Sequence, residues 1–308
     1  MISIFIPVKN EEQNLQGCLE SVRWSDDIHV YDSGSTDATT AVATAGGARV
    51  TKRDSSGSDE IFGGDEAAHK NWAMTNIPFR HEWVFHLDAD ERVTPELAFN
   101  IARAIQDPGD NVAFRIRRRD FWGKTWLKHA VNSSYYIRLF RPEQMRYERV
   151  INPVSVPQGP VADLDGFLDH YPFSKGMAHW MERHNSYSSL EARQILQNRV
   201  ADQKFSMMKA FFAKDRNERR FHQKELFYRM PARPFLKFLL LYGAKRGFLD
   251  GRAGFHYSLL QSVYEYMIVL KSREFASPVP GPSQHEVPVP EMKRFAANGL
   301  YADQSSAE

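Results

Sequence analysis

Trp83-Val84-Phe85-His86-Leu87-Asp88-Ala89-Asp90-Glu91 is the stretch from which the rest of the chain can be read. A β-prone, largely apolar run of five reads as a buried strand, and it ends abruptly in three carboxylates. Carboxylates at that depth are costly unless something positive meets them. Side by side at a strand's carboxyl end, they suit a hard divalent cation with oxygen ligands, and such a cation can bridge the phosphates of a nucleotide.

Upstream, strand and helix patterns alternate. Ile2 to Ile6 reads as a buried strand, and Leu15, Cys18, Leu19 and Val22 fall on one helical face. Ile28 to Tyr31 is a second strand; Ser35-Thr36-Asp37 has the hydroxyls and acid of a helix start, and Gly46-Gly47 of its end. Arg49-Val50-Thr51 is a short third strand, followed by a Gly/Ser-rich loop from Asp54 to Gly64 and a helix near 65–75. Downstream, Thr94-Pro95-Glu96 combines a cap with a proline at the first helical position, and Leu97, Ile101 and Ile105 form the inner face. The alternation predicts an α/β fold, a mostly parallel sheet with helices on both faces. In such sheets ligands sit at the carboxyl ends of the strands, so the turns Pro7–Glu12, Asp32–Asp37 and Asp88–Glu91 should share one rim.

The second half is less regular. Phe114–Arg119, Tyr136–Phe140 and Val161–Leu168 read as β segments, and a long helical pattern runs from Ser174 to about Val200. From Lys204 to Arg252 there are thirteen Lys and Arg against four Asp and Glu, an excess of nine in a chain of net charge +2. That segment interleaves its cations with Phe211, Phe212, Phe221, Phe227, Tyr228, Phe235 and Phe238, a mixture suited to an anionic membrane surface, or to a solvated helical subdomain. From Ser277 the chain reads as a flexible, Pro-rich tail. The domain division expected is 1–203, with halves 1–110 and 111–203, then a helical region 204–276 and the tail 277–308.

One cysteine, Cys18, excludes an internal disulfide and favours a reduced, cytoplasmic compartment. No apolar run reaches the roughly 18–20 residues of a spanning helix, and the N-terminus shows no signal peptide.

The candidate ligand groups are therefore Pro7, Lys9, Asn10 and Glu12 in the first turn; Asp32 and Gly34 in the second; Lys70 with Asn71, placed to reach a phosphate; and Asp88 and Asp90, acting through a metal. Asp88-Ala89-Asp90 alone is a common kind of acidic loop, and its weight comes from this company. In order and spacing, these turns resemble the family 2 glycosyltransferases across about the first 100 residues. Arg138-Leu139-Phe140-Arg141, His170-Tyr171, Arg183 to Ser188 and Arg246 to Gly251 extend the resemblance to the bacterial subgroup that glucosylates the lipopolysaccharide inner core.

The resemblance implies a GT-A fold, a UDP-sugar donor and Mn²⁺ or Mg²⁺. Asp32 would then contact the uracil or ribose, Asp88 the ribose and the metal shell, and Asp90 the metal directly. An inverting displacement also needs a base for the acceptor hydroxyl. Where the subgroup shows Val-His-Glu, this chain reads Val150-Ile151-Asn152, and an amide cannot take up that proton. Glu148 is the expected substitute, with Asp163 and Asp165 as alternatives. His170 is a candidate third metal ligand beside Asp88 and Asp90, or else a part-buried histidine with one hydrogen bond. Arg115, Arg117, Arg118 and Arg119 can meet a phosphorylated acceptor or merely alternate on a strand. Trp122, Trp126 and His129 can form a sugar platform or plain core; Glu91 reads as accompanying the Thr94 cap.

The expected activity is transfer of a sugar, glucose in the first instance, to a lipopolysaccharide core or related lipid-linked glycan, at the inner face of the cytoplasmic membrane with peripheral contact to it. Transfer to a polyprenyl-linked sugar, or nucleotide-sugar binding with weak or lost catalysis, are the alternatives. No nucleic acid is expected as partner, and a nucleotidyltransferase is disfavoured because no Gly-rich phosphate loop follows the first strand.

Overall fold

The computed structural model describes residues 1–53, 66–131, 133–148, 153–200, 205–214 and 216–276. The expected loop from Asp54 to Gly64, Asn152 and the tail from Ser277 lie outside these residues.

The first half follows the alternation: β1 (Ser3–Val8), α1 (Glu12–Ser21), β2 (Ile28–Asp32), α2 (Thr39–Ala45), β3 (Arg49–Lys52), α3 (Glu66–Asn76) and β4 (Val84–His86). Then come β5 (Glu91–Val93), α4 (Pro95–Gln106), β6 (Ala113–Trp122), β7 (Thr125–Trp126), β8 (Tyr135–Phe140), β9 (Met145–Glu148), β10 (Val154–Pro157) and β11 (Val161–His170). The chain continues through α5 (Gly176–Val200), α6 (Met207–Phe212), α7 (Arg216–Arg229), α8 (Arg233–Phe238), a π-helical turn (Leu239–Ala244), a 3₁₀ turn (Gly247–Asp250) and α9 (Gly251–Ala276).

Among the described residues one mixed sheet runs in the order β3-β2-β1-β4-β8-β6-β11-β5, with β7 paired to β6. It is parallel from β3 to β4; β8 and β5 run against their neighbours, and β6 and β11 are parallel to each other. The sheet draws its strands from both halves of residues 1–203. β9 and β10 form a hairpin outside it. β1 is apolar on both faces because both are covered. Ile2, Ile4 and Ile6 pack with Leu15, Cys18 and Leu19 of α1 and Leu97 and Ile101 of α4. Phe5, Tyr31 and Val84 pack with Ala67 and Ala73 of α3 and with Tyr147.

The second helix starts at Thr39, not at Ser35. Residues 35–38 are held by the first turn instead. Asn10, at φ 56°, accepts from the Thr36 amide at 2.8 Å, and the Glu12 carboxylate accepts from the Ala38 amide at 2.8 Å. Asp37 returns the bond by accepting from the Glu12 amide at 3.3 Å. Thr94 caps α4 as its sequence requires, accepting from Leu97 N.

The C-terminal helices dock through one carboxylate. Asp250 accepts from the His129 and Ala130 amides at 2.9 and 2.8 Å and meets His129 Nδ1 at 2.7 Å. Gly254 permits the close approach: a Cβ there would stand 1.9 Å from the Gly247 carbonyl oxygen. Trp122 packs against Phe173 and stacks on His256, and Trp126 packs against Phe167, so both tryptophans serve packing.

Candidate active site

Register alone brings the expected turns together. β1, β2 and β4 point the same way, so Val8, Asp32 and His86 end on one rim. β8 runs back from that rim, placing Arg138 near His86. β6 and β11 end there too, where Asp120 pairs with His170, and His170 in turn pairs with Glu91 on β5. Asp163 lies back along β11, opposite Arg115, roughly 17 Å from the Asp120–His170 pair, and Asp165 falls in the bulge between Leu164 and Phe167. Asp163 is tied there to Arg115 at 2.6 Å.

Arg138 owes its inward aim to a β-bulge. β8 pairs Leu139 with Phe114 but Ile137 with Arg115, leaving Arg138 as the extra residue. Its Nη2 donates to Asp88 Oδ2 at 2.7 Å and to Glu91 Oε1 at 2.6 Å. Glu91 is wholly buried and also accepts from the Asp88 amide at 3.0 Å, so it braces the acidic turn from below. Burial pushes its carboxyl above the usual range against the pull of Arg138 and Arg118. Asp88 goes the other way: burial would raise it, but Arg138 and then His86 hold it well below the carboxylate range. Burial, with Lys70 nearby, lowers the His86 imidazole to about 3, so it is neutral; its Nε2 lies 3.3 Å from Asp88 Oδ1.

Asp90 faces His170, with Nε2 to Oδ2 at 3.3 Å, while Nδ1 of His170 is bonded to Asp120. Burial works against the His170 charge, but Asp90 and Asp120 outweigh it and lift the imidazole to about 9. Asp90 is held below its ordinary value by His170 and Arg183, despite burial and the repulsion of Asp88. The Asp120 carboxylate on Nδ1 is the kind of partner that orients a metal-binding histidine, while Asp90 opposite Nε2 here completes an ion pair with the charged ring. A carboxylate and an imidazole are donor types that a divalent cation accepts, and His170, protonated between Asp90 and Asp120, would have to release its Nε2 proton to become one. Asp88 Oδ2 is bonded to Arg138 and its Oδ1 lies 3.3 Å from His86 Nε2, and among the described residues no group of three His, Cys, Asp or Glu side chains is placed to hold a metal ion.

The other expected residues divide into two groups. Asp32 is buried at its strand end, where it accepts from the Ser35 amide across exposed Gly34, and Lys70 lies with its ammonium 5.3 Å above the Tyr147 ring. Burial lowers the Lys70 pKa, countered first by Asp88, which puts this cation beside the acidic turn. Pro7 is in the β1 ladder opposite Tyr31, and Lys9 follows it at the rim. Asn10, Glu12 and Asn71, in contrast, have their side chains engaged with the protein. Asn71 donates to the Tyr147 carbonyl at 2.9 Å and accepts from its amide at 2.8 Å, as a neighbouring strand would. Glu148 is exposed, 3.5 Å from Arg146, on the strand face opposite inward-pointing Tyr147.

Of the four arginines on β6, Arg118 points into the site, toward Asp120 at 3.3 Å and Glu91 at 3.8 Å. Arg115 and Arg119 pair with Asp163 and Asp169. The sequence reading assigned no role to Arg138 and took Glu91 for a cap companion; only the bulge and the β5 ladder, neither of which has a periodic signature, reveal them. Lys175, 2.5 Å from Glu11, was also missed.

Residues 3–57 match the model of the family described as "Glycosyl transferase family 2". The chain is 26% identical over 279 residues to a lipopolysaccharide core biosynthesis glycosyltransferase, LpsC, of Rhizobium meliloti (strain 1021), covering 88% of this chain and 91% of that one. An uncharacterized glycosyltransferase of Rickettsia typhi is 22% identical over 289 residues, 89% of this chain and 87% of the other. Among solved structures, glucosyl-3-phosphoglycerate synthase from Mycobacterium tuberculosis, in complex with Mn²⁺, UDP-glucose and phosphoglyceric acid, aligns with 38% of this chain and 43% of its own. That likeness has a TM-score of 0.31 at 20% identity, too partial to bear on this chain's ligands. The turns of a mixed, mostly parallel α/β sheet converge on one rim, as the sequence leads one to expect. Through residues 3–57, and through its likeness to LpsC over most of both chains, this chain is similar to the family 2 glycosyltransferases.

Proposed function

We propose that the chain transfers a sugar from a UDP-sugar, UDP-glucose in the first instance, to a lipopolysaccharide core or related lipid-linked glycan, with inversion. The observation that carries this reading is the convergence of Asp32, Lys70, Asp88 and Asp90 on one rim. The LpsC likeness over most of both chains supports the choice of acceptor.

Asp32 takes the uracil or ribose, and Lys70 the phosphates. Asp90 and His170 would hold a divalent cation, Mn²⁺ or Mg²⁺, with Asp88 completing its surroundings; when bound, it would supply charge neutralisation at the departing diphosphate. The acceptor oxygen attacks the anomeric carbon, the bond from that carbon to the diphosphate oxygen breaks, and the hydroxyl proton passes to Glu148, the solvent-facing carboxylate beside the Asn71 joint.

Contact with an anionic membrane belongs to the same reading. Among the described residues no helix is long and apolar enough to cross a membrane. Met208, Phe211, Phe212, Phe235, Phe248 and Leu249 are nonetheless exposed, near Lys209, Lys237, Lys245 and Arg252. Aromatic and aliphatic groups ringed by cations suit the headgroup level of a bilayer.

The test is glucose transfer from UDP-glucose to isolated core lipid, with Mn²⁺ or with EDTA. Asp90→Asn should lower the rate by about 10³-fold, and Glu148→Gln by 10²-fold or more. Full activity in Glu148→Gln removes the base assignment alone; no turnover of any UDP-sugar removes the reading. Sedimentation with anionic vesicles at low salt, reversed at 1 M salt, tests the membrane surface.

A further inference from the structure

The segment from Arg183 to Ser188 divides between two faces of α5. His184 stacks on Trp180 with ring centroids 3.6 Å apart and meets Tyr264 edge-on. Asn185, Ser188 and Ser189 all accept from Lys271 Nζ, within 2.5–2.8 Å, fastening α9 to α5. These residues hold the fold together and leave Arg183 and Tyr187 unexplained.

Arg183 and Tyr187 belong to a different stripe. Lys175, His179, Arg183 and Tyr187 recur every four residues, so the three on α5 share one face with Lys175 just before it. Each member senses the acidic turn or its neighbours. Lys175 is bonded to Glu11, whereas His179, Arg183 and Tyr187 make no bond to the acidic turn and lie only within electrostatic reach of Asp90. Lys70 stands at the same turn from α3. The carboxylates are thus flanked by cations from two separate helices.

Among the described residues only Lys175 of this stripe is in contact with a carboxylate, and Arg183 is the member whose guanidinium is both partly buried and incompletely bonded. Its Nε is buried with no hydrogen-bond partner, and its guanidinium rests near the Tyr187 ring at 5.9 Å. Asp90, the carboxylate it influences, is already engaged by His170. A buried guanidinium N–H left open is costly, and the planar fork of arginine fits phosphate oxygens two at a time.

We propose that Arg183 is a diphosphate-binding residue, meeting the donor's phosphates from the α5 side while Lys70 meets them from α3. The inference rests on the donor reading above and adds a second anchor to it. Charge accumulates on the diphosphate as the sugar leaves, so a fixed cation there favours departure as well as binding.

Isothermal titration of the full chain with UDP, uridine and pyrophosphate, each in EDTA and in Mn²⁺, tests it. Arg183→Gln should weaken UDP and pyrophosphate about tenfold or more in both conditions and leave uridine unchanged, since only the phosphates engage the fork. Arg183→Lys, which keeps the charge and the fold, should fall between. UDP affinity unchanged in both variants, or uridine weakened as much as UDP, overturns the proposal while the donor reading stands. A wild-type chain that binds neither UDP nor pyrophosphate overturns both.

Discussion

Arg138 Nη2 stands 2.6 Å from Glu91 Oε1, and neither residue has appreciable contact with solvent. The same nitrogen reaches Asp88, so one guanidinium holds a carboxylate of the site and the carboxylate beneath it. Removing the cation leaves Glu91 buried and uncompensated. Arg138→Met should therefore lose about 3–5 kcal/mol of stability in urea denaturation, and Glu91→Leu added to it should recover part of that loss. Equal stability of Arg138→Met and the wild type would contradict this account.

Asp250 ties the C-terminal helices to the loop after β7 through two amides and an imidazole. Asp250→Ala strands those donors and should cost about 2–3 kcal/mol. The loss should be local, seen as faster amide exchange and protease cleavage in α9 before any change in β1 or β4.

Gly254 lies against the Gly247 backbone, with no flexible side chain to give way. Gly254→Ala should separate α9 from the 3₁₀ turn and cost about 3 kcal/mol or more. Gly243→Ala, at a glycine with open space around it, is the control and should fall within about 0.5 kcal/mol. Thermal melts compare the two.

Asp27 sits at the opposite end of the sheet, accepting from Ser3 Oγ at 2.6 Å, Arg49 at 2.9 Å and the Arg80 amide at 2.9 Å. Burial would raise its pKa, but these donors and His29 win, and it is lowered in the folded chain. A carboxyl with a lowered folded pKa contributes stability above its unfolded value, near 4, and that contribution is lost as pH falls through the folded value. Asp27→Asn should cost about 2–3 kcal/mol at pH 7 and flatten the acid limb below pH 4. A parallel acid limb in the variant would assign that limb to other groups.

The parallel half was legible because its strands are buried on both faces and its turns carry polar residues where the chain must leave the sheet. Asp32, Asp88 and Asp90 stand where strand ends put them. Asn10 and Glu12 were legible as rim residues but not as the braces they are, since their partners, Thr36 and Ala38, are backbone amides in another loop. Asn71 likewise bonds to backbone, at Tyr147. Arg138 and Glu91 were hidden for another reason. A bulge breaks the alternation that assigns faces, and a three-residue strand is too short to carry a period. The amphipathic alternation of Arg115 to Arg119 left open which arginine faces inward; the pairing with β8 and β11 decides for Arg118.

The pairing of Glu91 with His170 has a structural consequence of its own. Asp90 and His170 lie far apart in sequence, yet the backbone ladder of β5 and β11 sets their separation as the teeth of a zip set the distance between its two sides. Connections elsewhere, such as the one between α4 and β6, can change length without moving the pair. A shift of β5 by a single residue would turn Glu91 away from Arg138 and carry Asp90 off His170 together, so the bracing and the binding of this site stand or fall with one register.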